Sequence, residues 1–379
     1  MMRLDAMLKL MVEKNASDLF ITAGLAPSAK IHGEIVPISK EPLKPEETRD
    51  LIISIVPEYL KVPFIETSEA NFAISRPGIG RFRASAFQQR NNYGMVLRKI
   101  ETVIPTLEEL HLPKILEEFS VIKRGLVLFV GATGTGKSSS LAAMIGHRNR
   151  HGKGHIITIE DPIEFVHNHN QCIITQREVG IDTASYEVAL KNTLRQAPDV
   201  ILIGEIRSRE TMEHAITFAE TGHLCLATLH ANNANQALDR IIAFFSEDRR
   251  DQLLLDLSLN LRAIIAQQLI PSIDRESRWP AVEILINTPL VADYIRKGDL
   301  HLIKDVMKKS RELGMITFDQ ALFEMYKQGT ITKEDALKHA DSANELRLAI
   351  KLDKDAGTGT TLSGDVGLLD DSIENMRRR

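Results

Sequence analysis

Apolar and polar positions recur along the chain with two periods, and each period predicts a different element. Leu4, Met7, Leu8, Met11 and Val12 fall at helical spacing, and Asp18 to Thr22 read as a strand. Ile31 to Ile38 predict a hairpin turning near Gly33, with Pro37, which has no N–H to donate, favouring a sheet edge. Pro45 and Glu46–Glu47 open a helix whose apolar face is Leu51, Ile52, Ile55 and Val56. The alternation in Arg81-Phe82-Arg83-Ala84-Ser85-Ala86-Phe87 predicts a strand with Phe82 inward and both arginines on the other face. Val96 to Ile100 would pair with it and bring Arg98 alongside. Residues 1–100 therefore read as an α+β domain, and 101–115, with Pro105 and Pro113, as a linker.

From 116 to 350 strand and helix patterns alternate, as expected of a three-layer α/β core. Strands are predicted at 126–130, 156–159, 172–175, 200–203 and 224–228. Helices are predicted at 137–149, 184–196, 208–221 and 233–244. A long helix is expected from about 247 to 270, with Leu253, Leu254, Leu257, Leu261, Ile264 and Ile265 on one side. A strand at 281–286 and short helices to about 350 follow. Residues 351–379, with Gly-Thr-Gly-Thr-Thr-Leu-Ser-Gly and a terminal Arg-Arg-Arg, are expected to be disordered.

Composition narrows the class. At 379 residues, 43% hydrophobic and 26% charged, the chain has enough apolar material for two or three domains. A formal net charge of −4 gives no basic footprint for a nucleic-acid partner. No stretch approaches the ~20 apolar residues of a membrane span, and the N-terminal helix pattern carries Arg3, Asp5, Lys9 and Glu13, unlike a secretory signal. The two cysteines, Cys172 and Cys225, lie in apolar runs and read as buried thiols, which points to the cytoplasm.

The most informative stretch is Leu126-Val-Leu-Phe-Val-Gly-Ala-Thr-Gly-Thr-Gly-Lys-Ser138. Its apolar run is a buried strand, and residues 131–138 match G-x-x-x-x-G-K-[ST]. A triphosphate explains the spacing. Gly131, Gly134 and Gly136 allow the tight turn that aims backbone N–H groups at phosphate oxygens. Lys137 reaches the β- and γ-phosphates, and Ser138 offers a hydroxyl to Mg²⁺. The following helix presents its positive end to the anion. The nucleotide-binding set is Gly131, Ala132, Thr133, Gly134, Thr135, Gly136, Lys137, Ser138 and Ser139, with ATP and Mg²⁺ as the expected ligands.

Two acidic sets follow at strand ends. Ile159-Glu160-Asp161-Pro162-Ile163-Glu164 and Val200-Ile201-Leu202-Ile203-Gly204-Glu205 both end an apolar strand in carboxylates. In a parallel sheet these ends share one edge, where ligands bind. Glu205 suits a magnesium-site carboxylate. Glu164, or next Glu160, suits a group that activates water. His223 and His230 bracket the strand at 224–228, and His230 at its C-terminal end is the better candidate to sense the γ-phosphate or bridge subunits. His167 and His169 read as a polar loop. Arg81, Arg83 and Arg98 are candidates to supply positive charge to a γ-phosphate, with Arg195 and Arg207 flanking the Glu205 strand as further ones.

Together these boxes resemble the secretion-type hexameric ATPases. The shared runs are Gly131–Ser138, Thr158-Ile-Glu-Asp-Pro-Ile-Glu-Phe-Val-His167, Gly204-Glu205, and Glu220-Thr-Gly-His223 with Thr228-Leu-His230. Within that class the chain looks like the type IV pilus retraction ATPases, the PilT/PilU family, and Gln176-Arg-Glu178, Ala16-Ser-Asp-Leu19 and Arg81-Phe-Arg83 match as well. The resemblance covers about residues 1–350. It implies a PAS-like N-terminal domain, a RecA-like P-loop NTPase core and a homohexamer with ATP between subunits. It also implies Glu164 as the water-activating residue, Glu205 as the magnesium-site glutamate, and N-domain arginines reaching a γ-phosphate.

The tetracysteine zinc motif usual in pilus extension ATPases is not in this sequence, which favours retraction and twitching motility. Gly204-Glu-Ile-Arg-Ser208 stands where PilT proteins typically read Gly-Glu-Met-Arg-Asp, and Leu290-Val-Ala-Asp-Tyr-Ile-Arg296 replaces their Ala-Ile-Arg-Asn-Leu run. Those departures point to the PilU branch, whose members act with a PilT-type ATPase. The implied partners are that ATPase and the inner-membrane pilus platform protein, reached at the cytoplasmic face of the membrane. Two rivals share the core: a nucleotide-binding ring acting as an accessory adaptor of the PilT motor, and a RecA-like nucleic-acid motor.

Overall fold

The computed structural model describes residues 4–31 and 33–357. The N-terminal part opens with helix α1 (Leu4–Glu13), strands β1 (Asp18–Thr22), β2 (Ser28–Ile31) and β3 (Glu34–Pro37), and helices α2 (Pro45–Ile55) and α3 (Glu58–Thr67). Strands β4 (Glu69–Arg76), β5 (Gly80–Gln89) and β6 (Asn92–Ile100) complete one sheet in the order β3-β2-β1-β6-β5-β4. As the hairpin pattern predicts, β2 and β3 pair across Ile31 and Glu34, and β3 with Pro37 takes the sheet edge. Alternation along β5 buries Phe82, Ala84 and Ala86 and leaves Arg81 and Arg83 on the opposite face, with Arg98 of β6 directly across from Arg83. Met7, Leu8, Ile52, Phe64 and Phe72 pack against that apolar face.

The remainder is built on a second sheet. Its elements are α4 (Ile115–Val121), β7 (Gly125–Val130), α5 (Lys137–His151), β8 (Gly154–Glu160), β9 (Cys172–Glu178), α6 (Tyr186–Thr193) and β10 (Val200–Ile203). Next come α7 (Arg209–Glu220), β11 (Leu224–Leu229), α8 (Ala234–Ala243), α9 (Arg250–Asn260), β12 (Leu261–Pro271) and β13 (Arg278–Ile286). Helices α10 (Pro289–Lys297), α11 (Ile303–Lys309), α12 (Phe318–Lys327), α13 (Lys333–His339) and α14 (Ala343–Gly357) close the chain. The order is β13-β12-β7-β11-β10-β8-β9, parallel throughout except for β13.

Strand β7 is buried at every position because both its faces are covered. Leu126, Leu128 and Val130 enter one apolar cluster, while Val127 and Phe129 enter the other with Leu141, Met144 and Ile145 of α5. Fully burying each such side chain contributes roughly 1.5–3 kcal/mol. The result is a three-layer core with the phosphate loop leaving its centre.

One predicted element is corrected. The expected helix at 247–270 stops at Asn260, and Leu261–Pro271 is strand β12, inserted between β7 and β13. Ala263, Ile264, Ile265 and Ala266 are all fully buried, so the run shows no alternation, and an unbroken apolar run does not distinguish helix from interior strand. Helix α3 and strand β4 occupy a stretch for which the pattern predicts no element. Helix α14 runs to Gly357, so residues 351–357 are helical within the stretch expected to be disordered, and 358–379 lie outside the described residues. Among the described residues no helix is long and apolar enough to cross a membrane.

Candidate nucleotide site

The loop between β7 and α5 turns on three glycines with left-handed or otherwise side-chain-hostile φ angles: +150° at Gly131, +81° at Gly134 and +88° at Gly136. A β-carbon on Gly131 would come within 2.6 Å of the Gln267 carbonyl and the Thr135 hydroxyl. Gln267 on β12 fixes the loop from the side. Its Nε2 donates to Thr135 O (2.9 Å) and its Oε1 accepts from Ser140 Oγ on α5 (2.7 Å). Lys137, the first residue of α5, is buried and donates from Nζ to the carbonyls of Gly131 (2.7 Å) and Ala132 (2.8 Å). Burial lowers its pKa from the usual lysine range, while Glu205 and Glu164 act to raise it.

The loop opens into a cavity of about 580 Å³ at the C-terminal edge of the sheet. Gly134, Lys137, Ser138, Glu164, Glu205 and His230 all line it, so four strand ends (β7, β8, β10 and β11) deliver the predicted residues to one place. Glu205 is held from both sides: Arg207 Nη2 lies 2.6 Å from Oε2 and His230 Nε2 lies 3.1 Å from Oε1. Gly204 before it allows close packing, since a β-carbon there would meet the Tyr186 hydroxyl at 2.8 Å and the Glu160 backbone at 3.0 Å. Thr228 of β11 ties the same turn down through its hydroxyl to Gly204 O, and its carbonyl accepts from Ile206 N.

The two candidate bases differ in their surroundings. Glu164 is exposed in the cavity wall. Glu160 accepts from Thr158 Oγ1 (2.6 Å) and Gln176 Nε2 (3.2 Å), and burial pushes its pKa up to about 7. Because this folded-state value lies above the ordinary 4.5, the native state favours the protonated form. The associated stability is fully present below pH 4.5 and is lost as pH rises through about 7. Glu160→Gln is therefore expected to raise the melting temperature relative to wild type at pH 8, with the gain shrinking towards pH 5. A gain independent of pH in thermal melts would contradict this assignment.

His223 sits at the N-terminal end of β11, with Nδ1 3.1 Å from Phe218 O, at the opposite end of that strand from His230. Arg195 is exposed after α6, and it does not line the cavity, whereas Arg207 does. Arg81, Arg83 and Arg98 do not line the cavity of their own chain. Arg98 pairs with Asp18 (2.7 Å) and Arg83 with Glu178 (3.0 Å), while Arg81 Nε is buried without a partner. His167, expected in a polar loop, lines the cavity; burial pushes its pKa down to about 4, so the ring is neutral at physiological pH. Gln176, Glu178 and Gln267 are contributors whose function the sequence pattern does not reveal, because each acts through a hydrogen bond to a distant segment.

A strand, a glycine-rich phosphate loop and a helix, with carboxylates at neighbouring parallel strand ends, define a P-loop nucleoside triphosphatase. Residues 81–330 match the family described as Type II/IV secretion system protein. The chain is 62% identical to the type IV pilus ATPase PilU of Pseudomonas aeruginosa over the full length of both. It is 38% identical to the PilT retraction ATPase of the same organism, covering 89% of this chain and 98% of that one. The crystal structure of the pilus retraction motor PilT with bound ADP superposes with a TM-score of 0.86 at 39% identity, covering 92% of this chain and all of that one. The chain belongs to the PilT/PilU family of type IV pilus ATPases.

Proposed function

We propose that the protein is a Mg²⁺-dependent ATPase motor, assembled as a homohexamer at the cytoplasmic face of the inner membrane, that powers type IV pilus retraction together with a PilT-type ATPase. The observation that carries this reading is the convergence of Lys137, Ser138, Glu164, Glu205 and His230 on one cavity beside the phosphate loop. Left-handed glycines and the N-terminus of α5 suit the triphosphate. Ser138 and Glu205 offer the hard oxygens that Mg²⁺ takes alongside substrate phosphates, with Glu205 oriented by Arg207 and His230. A bound magnesium ion would neutralise charge on the phosphates. Glu164, exposed where Glu160 is half-buried and already bonded, is the better placed carboxylate to orient and deprotonate the attacking water.

Of the arginines of the N-terminal sheet, Arg81 and Arg98 enter this reading only through a neighbouring subunit, whereas Arg83 is engaged by Glu178 of its own chain; the platform protein is the expected docking partner of the ring. The reading is tested by measuring pilus retraction in cells carrying this protein alone, the PilT-type ATPase alone, or both. Stronger retraction with both than with the PilT-type ATPase alone is expected. Equal retraction with and without this protein would overturn the motor role.

A further inference from the structure

The loop from Asp161 to His167, which carries Glu164, makes its bonds to two neighbours. One is edge strand β9. There Gln176 and Glu178 stand two apart and so on the same face, and both reach across to the loop. Gln176 donates from Nε2 to Phe165 O (2.9 Å) and accepts from His167 N (2.8 Å). Glu178 accepts from Ile163 N at its Oε2 (3.2 Å). The second neighbour is the N-terminal sheet. Glu101, the residue after β6, forms a bridge to Phe165, and its carbonyl accepts from Val166 N (3.0 Å).

Glu178 joins the two. Its other carboxylate oxygen takes both Nε (3.3 Å) and Nη2 (3.0 Å) of Arg83 on β5. The glutamate side chain is 4% exposed and that of the arginine 23%. A buried carboxylate with one oxygen on a guanidinium and the other on a loop amide has a fixed position, because losing the first leaves its charge uncompensated and losing the second leaves an acceptor unsatisfied. We propose that Glu178 is a positioning residue for Glu164: through it Arg83 transmits the placement of the N-terminal sheet to the loop that carries the base. The inference rests on the reading of Glu164 as the water-activating group.

Such a residue alters the alignment of base and water without touching the phosphates, and misplacement of about 1 Å can cost about a hundredfold in rate. The test uses full-length protein and compares wild type with Glu178→Gln, Arg83→Ala, the double variant and Glu164→Gln, with thermal melts checking that each is folded. Glu178→Gln removes the charge while keeping the side-chain length, and Arg83→Ala removes the more exposed partner. Each single variant is expected to lower kcat by about 10- to 100-fold with KM for ATP unchanged, the range typical of groups that orient a reactive one. The double variant should be no slower than the slower single, because the two residues act through one contact.

Normal kcat in Glu178→Gln, a raised KM with kcat retained, or multiplicative losses in the double variant would overturn the inference. Multiplicative losses are what an Arg83 serving a neighbouring subunit's phosphate would give. Should Glu178→Gln fail to fold, Glu178→Asp, which keeps the charge but shortens the reach to Ile163 N and Arg83, replaces it in both the kcat-against-KM split and the double-variant comparison. If Glu164→Gln turns over normally, the reading beneath the inference fails, and the inference with it. If Glu164→Gln is inactive while Glu178→Gln is normal, the positioning role alone fails.

Discussion

Glu164→Gln is expected to bind ATP as wild type does and to lose turnover by about 10²–10⁴-fold, the contribution typical of a general base. The amide keeps the size of the side chain but cannot take a proton. The loop around it is pinned by Gln176, Glu178 and Glu101 rather than by Glu164 itself, so the substitution leaves the cavity wall in place. Phosphate-release kinetics beside a nucleotide titration separate the two quantities. Near-normal release would transfer the base to another group, with Glu160, already close to neutral pKa, the next to examine.

Lys137→Ala is expected to weaken ATP binding at least tenfold, since a charge-assisted hydrogen bond contributes about 1.5–3 kcal/mol. Two effects add. The phosphates lose their cation, and the carbonyls of Gly131 and Ala132 lose the donor that braces the loop. Lys137→Arg should restore charge but not fit, because a planar fork replaces a compact ammonium in a buried position. Unchanged affinity of Lys137→Ala in a titration would count against the loop as the phosphate site.

The parts of the site that a reader of the sequence can find are contiguous. The phosphate loop, Glu160–Glu164 and Gly204-Glu205 each lie within a few residues of an apolar strand, so local pattern locates them and parallel topology brings them together. What escapes is non-local. Gln267 braces Thr135 from 132 residues away, inside a run whose burial on both faces hid its strand character. Alternation places Arg83 on the face opposite Phe82, yet its partner Glu178 is 95 residues further on. The polar neighbours of His167 read as a solvated loop, whereas its ring is half-buried in the cavity wall and neutral. Strand β4 differs in kind: Ala70, Phe72 and Ile74 alternate plainly, beside a helix α3 that contains Pro63.

The late arrival of β12 bears on how the protein is made. A ribosome releases β7 well before its flanking strand, so one side of the phosphate-loop strand stays unpaired until residue 271 has emerged. An open apolar edge of that kind is a template for unwanted pairing between nascent chains. Fragments ending before Leu261 keep that hazard permanently, and the smallest soluble ATPase unit cut from this chain must extend through the β12–β13 hairpin.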